Sequence, residues 1–200
     1  MYQVIKKVGL GAALLLATLS LTGCLSAKSY VDMRNAVTVK QLKQPDIVAP
    51  AQVVVEFRSN GKPNAGATKY VKPIVMKYLA QSTLFAELSE TPSPNKQVLT
   101  VVIDNLADMG EAATKGFGTG LTLGLVGTSV EDRYVASLVW VNAAGARFEG
   151  NAKDSIVTTI GNTAGPADLQ GMDLTAATDV VFGHLVNAAL KNITDQAGFH

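Results

Sequence analysis

Two β-type runs joined by a short turn occupy residues 134–160 of the chain. Residues 134–141 read YVASLVWV, the strongest strand pattern in the chain, and RFEGNAKDSIVTTI follows after the turn sequence NAAGA. Gly145 in this turn can adopt the positive φ that tight connections between antiparallel strands often require. The two runs are therefore predicted to form a β-hairpin.

A strand, a helix and a second strand are predicted before this hairpin. The β-branched run QVVVEFR at residues 52–58 ends at the turn sequence SNGKPNAG, where Asn60 and Gly61 tolerate positive φ. Residues 98–106, VLTVVIDNL, are apolar on both sides, which is typical of a strand at the centre of a sheet. Between these runs, apolar residues recur at helical spacing: Val71, Ile74, Val75, Tyr78 and Leu79.

Two helices are predicted to pack on the sheet. The first begins near Lys72, or is kinked there, because Pro73 lacks the N–H that a helix interior uses. In the second, at the end of the chain, Gly183 is a local weakness of about 1 kcal/mol relative to Ala. With one more short strand near residues 37–39, we expect an α+β fold with a mostly antiparallel sheet and two main packing helices. The apolar stripe of the second helix comprises Leu174, Ala177, Val181, Leu185, Ala189 and Ile193.

The first residues of the chain have the layout of a secretory signal peptide. Lys6 and Lys7 precede an apolar stretch at residues 8–21, and small residues follow immediately. The apolar stretch is shorter than the roughly 20 residues that a transmembrane helix needs. This segment is therefore not expected to contribute to the fold.

The single cysteine of the chain follows this segment and cannot form an intramolecular disulfide. The sequence Leu21-Thr22-Gly23-Cys24 resembles the lipobox of bacterial lipoproteins. The resemblance implies cleavage before Cys24 and acylation of both its thiol and the new amino terminus. Several acyl chains hold a protein stably on a membrane, whereas one chain holds it only marginally. Leu25, in the position where Asp typically retains enterobacterial lipoproteins at the inner membrane, implies by the same resemblance the outer membrane.

These signals divide the chain into three parts. Residues 1–23 are predicted to be a lipoprotein signal peptide, residues 24–36 a lipidated tether, and residues 37–200 a single α+β domain. The tether is expected because that stretch is polar with isolated apolar residues. The 17 Lys and Arg residues nearly balance the 16 Asp and Glu residues. We expect no nucleic-acid partner, since such binding needs a basic patch.

The sequence contains no recognisable set of catalytic residues. The nucleophile motif G-x-S-x-G is absent, and Cys24 is assigned to the lipid. His184 and His200 have no Cys or Glu at metal-ligand spacing, and we interpret His184 as a helix-boundary residue beside the apolar stripe. The acidic stretch DNLADMGE, residues 104–111, lacks the spacing of a calcium loop. We therefore expect no enzymatic activity, metal or cofactor.

An uncharged, glycine-spaced stretch, KGFGTGLTLGLVGTS, occupies residues 115–129. Read as a helix, its glycines form a flat stripe beside an apolar ridge; read as a strand, they share one face. Both periods fit, so two interpretations stay open: a loop folded on its own domain, or a contact with membrane or another subunit. The residues predicted for such a contact, within segment 116–127, are Gly116, Phe117, Gly120, Leu121, Gly124 and Leu125.

The order of elements also resembles the TraT type of small outer-membrane lipoprotein from Gram-negative bacteria. That type has a glycine-rich apolar segment followed by Val-Glu-Asp and a strand containing tyrosine, as residues 130–134 do here. The resemblance implies oligomerisation at the outer membrane and shielding of contacts, without catalysis.

Two hypotheses for function follow. The first is a lipid-anchored cell-envelope protein that faces the periplasm and acts non-enzymatically through contacts with a protein partner or with further copies of itself. The alternative is a periplasmic carrier of a small ligand or lipid, with the sheet and the Phe182 and Leu185 face forming its pocket.

Overall fold

The computed structural model describes residues 26–92, 97–106 and 127–199. These residues form an α+β fold, as predicted, in which a seven-stranded mixed sheet packs against two helices. The strands are β1 (Ala27–Tyr30), β2 (Ala51–Ser59), β3 (Lys62–Pro63), β4 (Leu88–Ser89), β5 (Gln97–Asn105), β6 (Thr128–Val141) and β7 (Arg147–Ile160), and the helices are α1 (Ala65–Gln81) and α2 (Leu174–Thr194).

The sheet has the strand order β1-β7-β6-β5-β2-β3, and β4 pairs with the start of β2. The β2–β5 and β2–β4 pairs are parallel, whereas the other pairs are antiparallel. Parallel neighbours need a crossover connection, and α1 supplies it between β2 and β5. The predicted strand, helix and strand before the hairpin are thereby confirmed.

The predicted hairpin is confirmed and is longer than its sequence pattern indicated. Strands β6 and β7 pair from Val141 opposite Arg147 to Thr128 opposite Ile160. Gly145 has the expected positive φ of 84°. The start of β6 has no partner in β5, since β5 ends opposite Tyr134. Residues 128–133 therefore extend beyond β5 as part of a ribbon with β7.

The first helix begins earlier than predicted. The expected start near Lys72 is wrong, because Asn64 caps the helix at Ala65 by accepting a hydrogen bond from the Ala67 amide at 3.0 Å. Pro73 lies within the helix. The residues of α1 that are buried against the sheet and α2 are Val71, Val75 and Leu79.

The closing helix is confirmed, with one correction to its stripe. Asp173 caps α2 by accepting a hydrogen bond from the Ala176 amide at 2.8 Å. Leu174 is exposed rather than buried, because it occupies the first turn. The other residues of the predicted stripe are buried: Ala177, Val181, Leu185, Ala189 and Ile193.

Gly183 is a packing position rather than a weakness. A side chain there would overlap the ring of Tyr78 on α1. The Tyr78 hydroxyl donates to Oδ2 of Asp179 at 3.0 Å, which fixes the ring between the two helices. The expected gain from alanine is therefore wrong in this context, since the missing Cβ lets α1 and α2 approach each other.

The boundary of the predicted tether is also wrong within the described residues. Ala27–Tyr30 forms β1, which pairs with residues 157–160 of β7. Ser29 exchanges two backbone hydrogen bonds of 2.9 Å with Met172 on its other side. The stretch looked like a tether because its order depends on these distant partners. Likewise, the predicted strand near residues 37–39 is a 3-10 turn at Val39–Gln41.

The two faces of the sheet differ in burial. On the helix side, Leu99, Val101 and Ile103 of β5 are fully buried, while Val98 and Val102 on the other side are only half-buried. The central position of β5 is confirmed, but only one of its faces lies in the core. None of the helices in the described ranges is long and apolar enough to cross a membrane.

Candidate functional site

The residues predicted from sequence to contact membrane or a partner lie outside the part of the chain that the structure describes. This holds for the lipidation candidate Cys24 and for the six residues of the glycine-spaced segment. Their proposed roles therefore stay predictions. These residues are Cys24, Gly116, Phe117, Gly120, Leu121, Gly124 and Leu125.

The described residues nevertheless show where these two stretches join the fold. Ala27 and Thr128 are both register partners of Ile160, on opposite sides of β7. The backbone oxygen of Ser26 accepts a hydrogen bond from the Gly161 amide at 2.9 Å. The chain therefore enters β1 and β6 at the same end of the sheet, which we call the Ile160 end.

The face of the sheet turned away from the helices carries a band of apolar side chains. We call this band the open face. It lies on β2, β5 and β6, and no helix covers it within the described residues. Val54 on β2 is 43% exposed and the other members are half-buried. The open face consists of Val54, Val98, Thr100, Val102, Val135, Ser137, Val139 and Val141.

Strand pairing aligns these side chains into rows across the sheet. Thr100 is the register partner of Val54 on one side and of Val139 on the other. The neighbouring row, two residues earlier along β5, joins Val98 to Val141. Because alternate residues of neighbouring strands point to the same side, these rows make one continuous surface.

Charged residues of both signs border the open face. On β2, Arg58 and Glu56 form an ion pair, and both are more than a third exposed. On β7, Nε of Arg147 donates to Oε1 of Glu149 at 2.8 Å. An uncharged centre with a polar rim is the usual organisation of a protein–protein interface. In each of these two pairs the positive and the negative charge cancel.

His184 has a partner that the sequence did not reveal. Its Nδ1 lies 3.0 Å from Oδ2 of Asp154 on β7, and both side chains are largely buried. It lies beside the buried stripe of α2, as predicted from sequence, and its contact with Asp154 links this helix to the sheet. Among the described residues Asp154 is the sole hydrogen-bond partner of the imidazole, and no nucleophile accompanies the pair.

The loop that follows β1 carries a separate, exposed ionic cluster. Nε of Arg34 donates to Oδ1 of Asp32 at 2.9 Å, and this bond lowers the pKa of the Asp32 carboxyl to about 2. Arg34 also pairs with Asp168 at 3.0 Å. These side chains are 40% to 68% exposed, so solvent screens their interaction. Across the described ranges, no group of three or more potential ligands could hold a metal ion.

The pocket predicted for the carrier hypothesis is not present at its predicted place. Phe182 and Leu185 are 2% and 0% exposed. The Phe182 ring packs edge-on against Tyr134, with centroids 5.4 Å apart. These side chains fill the core between α2 and the sheet, where they pack against other core side chains.

The sequence comparisons with known proteins found no match, and the structural matches are weak. No protein-family model matches the chain, and no curated protein matches it. Among solved structures, the PelC dodecamer from Paraburkholderia phytofirmans aligns with a TM-score of 0.37 and 10% identity, covering 86% of this chain and 99% of that one. A point variant of the same protein gives 0.36 and 10%, with coverage of 84% and 97%. At these values the likeness carries no inference about function or assembly.

Proposed function

We propose that this protein is a lipid-anchored component of the bacterial outer membrane that acts without catalysis, by associating with further copies of itself through the open face. The observation that carries this proposal is the band of valines on the second face of the sheet. No helix among the described residues covers this band. Contiguous apolar surface bordered by polar residues is typical of interaction sites.

The size of the open face is adequate for a specific contact. Three strands about 4.8 Å apart, with a rise of about 3.3 Å per residue, give a footprint of about 300 Å² over six residue steps. Charged borders on β2 and β7 extend this area towards the roughly 800 Å² per partner of a standard interface. Face-to-face packing of two sheets would bury the valines as the inner layer of a β-sandwich.

Charge complementarity favours a second copy as the occupant. Both borders carry both signs of charge: Glu56 and Arg58 lie on β2, and Arg147, Glu149 and Lys153 lie on β7. A two-fold arrangement brings the same surface onto itself, so a patch with both signs at each border can match its own charges. A partner that carries many charges of one sign would gain no net electrostatic attraction from a rim with both signs of charge.

Membrane anchoring would promote this association. Lipid on Cys24 would attach two residues before Ser26, at the Ile160 end of the sheet. The glycine-spaced segment rejoins the described fold at the same end, which supports a role for Gly116, Phe117, Gly120, Leu121, Gly124 and Leu125 in membrane or subunit contact. Confining all copies to one surface raises their effective concentration.

The test is the native mass of the lipidated protein in mild detergent. Val139→Arg places a charge in the centre of the open face, and Tyr70→Arg is the matched control on the exposed side of α1, where Tyr70 is 55% exposed. We expect a defined oligomer for the parent and for Tyr70→Arg, and a folded monomer for Val139→Arg. Val54→Arg repeats the test at an exposed position of the open face, where the new charge does not have to be buried.

Two results would overturn the proposal: a monomeric parent, or variants with arginine on the open face that keep the parent's mass. A variant lacking residues 116–127 separates the two surfaces, because loss of the oligomer in that variant alone would move the interface to the glycine-spaced segment. The anchor has its own test. Cys24→Ser is expected to move the protein from the membrane fraction to the soluble fraction, and its retention in membranes would contradict the lipid anchor.

A further inference from the structure

A cavity of about 320 Å³ opens at the end of the sheet opposite the Ile160 end. It lies where β5 and β7 begin and β6 ends, beneath the loop of residues 45–49 and the turn of the hairpin. The walls are mainly aromatic and aliphatic, and their polar side chains are Asp46, Gln97 and Asn142. The side chains that matter for binding are Ile47, Ala49, Gln97, Trp140, Phe148 and Phe199.

The aromatic wall is held rigidly by contacts between its rings. The Phe199 ring lies edge-on to both Trp140 and Phe148, with centroids 5.0 Å and 5.5 Å apart. The ring of Phe85 also packs against Trp140, with centroids 4.6 Å apart. Most of each ring is buried, so the wall keeps its shape before any ligand arrives. Ile47, 77% exposed, adds an apolar side chain at the mouth.

One polar group in the wall is left uncommitted. The Trp140 Nε1–H donates to Oε1 of Gln97 at 2.5 Å, which fixes the orientation of the amide. Nε2 of Gln97 has no acceptor among the residues that the structure describes; the residue as a whole is only 5% exposed, and this atom keeps some contact with solvent. A donor with so little access to water stabilises any acceptor brought to it. By contrast, Oδ1 of Asn142 already accepts from the Ala144 and Ala146 amides.

We propose that this cavity binds a small, uncharged, ring-containing molecule whose carbonyl oxygen accepts a hydrogen bond from Gln97 Nε2. The volume corresponds to about ten water molecules at roughly 30 Å³ each, so the ligand is of one- or two-ring size. Cavities of about 300–1,000 Å³ with apolar walls and few placed polar groups are typical ligand sites. An anionic ligand is disfavoured, because the Asp46 carboxylate lines the cavity and no Lys or Arg does, so a buried negative charge would lack compensation.

This site is independent of the proposed self-association, because it uses none of the side chains of the open face. Strand β6 runs from the Ile160 end to the cavity and has 14 residues. At a rise of about 3.3 Å per residue the two ends are about 43 Å apart. In a membrane-anchored molecule, the cavity would therefore face the aqueous side.

The single tryptophan of the chain makes the test direct. Because Trp140 lines the cavity, its fluorescence reports occupancy of this site alone. The full-length protein is titrated with coumarin, a neutral two-ring lactone, and with coumarin-3-carboxylate, its anionic analogue. Equilibrium dialysis measures binding independently of absorption by the probe. We expect saturable binding of coumarin and a Kd for the carboxylate about tenfold higher or more.

Two matched variants locate the binding. Ala49→Leu adds volume to the cavity wall, and Ala80→Leu makes the same change on the exposed surface of α1. We expect Ala49→Leu to raise the Kd for coumarin about tenfold and Ala80→Leu to leave it unchanged. Gln97→Met, which removes the donor but keeps the length, should also weaken binding. The proposal is overturned if coumarin causes no saturable change, or if it binds Ala49→Leu as tightly as the parent.

Discussion

Nδ1 of His184 on α2 lies 3.0 Å from Oδ2 of Asp154 on β7, and the two side chains are 14% and 17% exposed. This contact ties the closing helix to the hairpin strand. Because both groups are withdrawn from most of the solvent, the imidazole depends on Asp154 for its hydrogen bond, whereas the carboxylate also accepts from the Ser155 amide at 2.8 Å.

Asp154→Ala is expected to lower the free energy of unfolding by about 1–3 kcal/mol, because the imidazole loses its partner while it remains largely buried. Urea titration measures the change. Asp195→Ala is the control, since Asp195, just after the end of the same helix, pairs with Lys191 and Lys43 on the surface and exposed pairs contribute about 0–1 kcal/mol. Equal losses in the two variants would contradict the structural importance of the buried pair.

Tyr134 is expected to make the protein sensitive to alkaline pH. Burial, followed by the negative charge of Asp132, raises the pKa of the Tyr134 phenol above its ordinary value of 10.0. The unfolded chain then loses this proton near pH 10 while the folded protein keeps it. Stability from this group is therefore complete below pH 10 and is lost as pH rises beyond it.

Tyr134→Phe removes this dependence. The parent is expected to lose up to about 1.4 kcal/mol per pH unit more than the variant above the ordinary tyrosine pKa. Urea titrations of both proteins at a series of alkaline pH values measure this difference. The contributions of the other ionisable groups are common to both proteins and therefore cancel. Parallel curves would mean that the phenol ionises equally easily in the folded and unfolded chains.

Gly183→Ala is expected to destabilise the protein by about 1–3 kcal/mol, because the new methyl group overlaps the ring of Tyr78. Helix propensity alone gives the opposite sign, a gain of about 1 kcal/mol. In a Tyr78→Ala background the clash is absent, so the same change should become stabilising. The four proteins form a double-mutant cycle, and additive effects would show that the two positions do not interact.

Tyr30→Ala tests whether β1 belongs to the fold. The Tyr30 side chain is 8% exposed and lies against Gly165 and Gly171, so its loss should cost about 3–5 kcal/mol. Lys28→Ala, on an exposed position of the same strand, should cost less than about 0.5 kcal/mol. Thermal and urea unfolding of both variants measure the contrast. Two unchanged variants would favour a tether over a strand.

The elements that sequence patterns predicted are those whose signals are local. The hairpin carries its turn, with Gly145 at a positive φ, and the closing helix carries its own periodicity. The start of α1 was missed because the cap at Asn64 precedes a first turn with no apolar spacing. β1 was missed because a short polar strand is specified by its partner, residues 157–160, far away in the sequence.

The candidate sites were harder to predict than the fold. The alternating valines of β5 were read as buried on both sides, whereas Val98 and Val102 belong to the open face. The cavity combines the loop near Ile47 with Trp140 and Phe199, which are brought together only by the complete fold. Periodicity describes one element at a time, so it cannot show which distant side chains share a wall.

The position of β1 between two partners has a mechanical consequence. Its backbone is bonded to β7 on one side and, through Ser29, to Met172 on the other. Hydrogen bonds between antiparallel strands lie across the strand axis, whereas a pull on the chain before Ser26 acts along it. Such a pull loads these bonds together in shear instead of opening them one after another. Tension arriving from the amino-terminal side is thus transferred to the longest hairpin of the sheet, and β1 acts as its clamp.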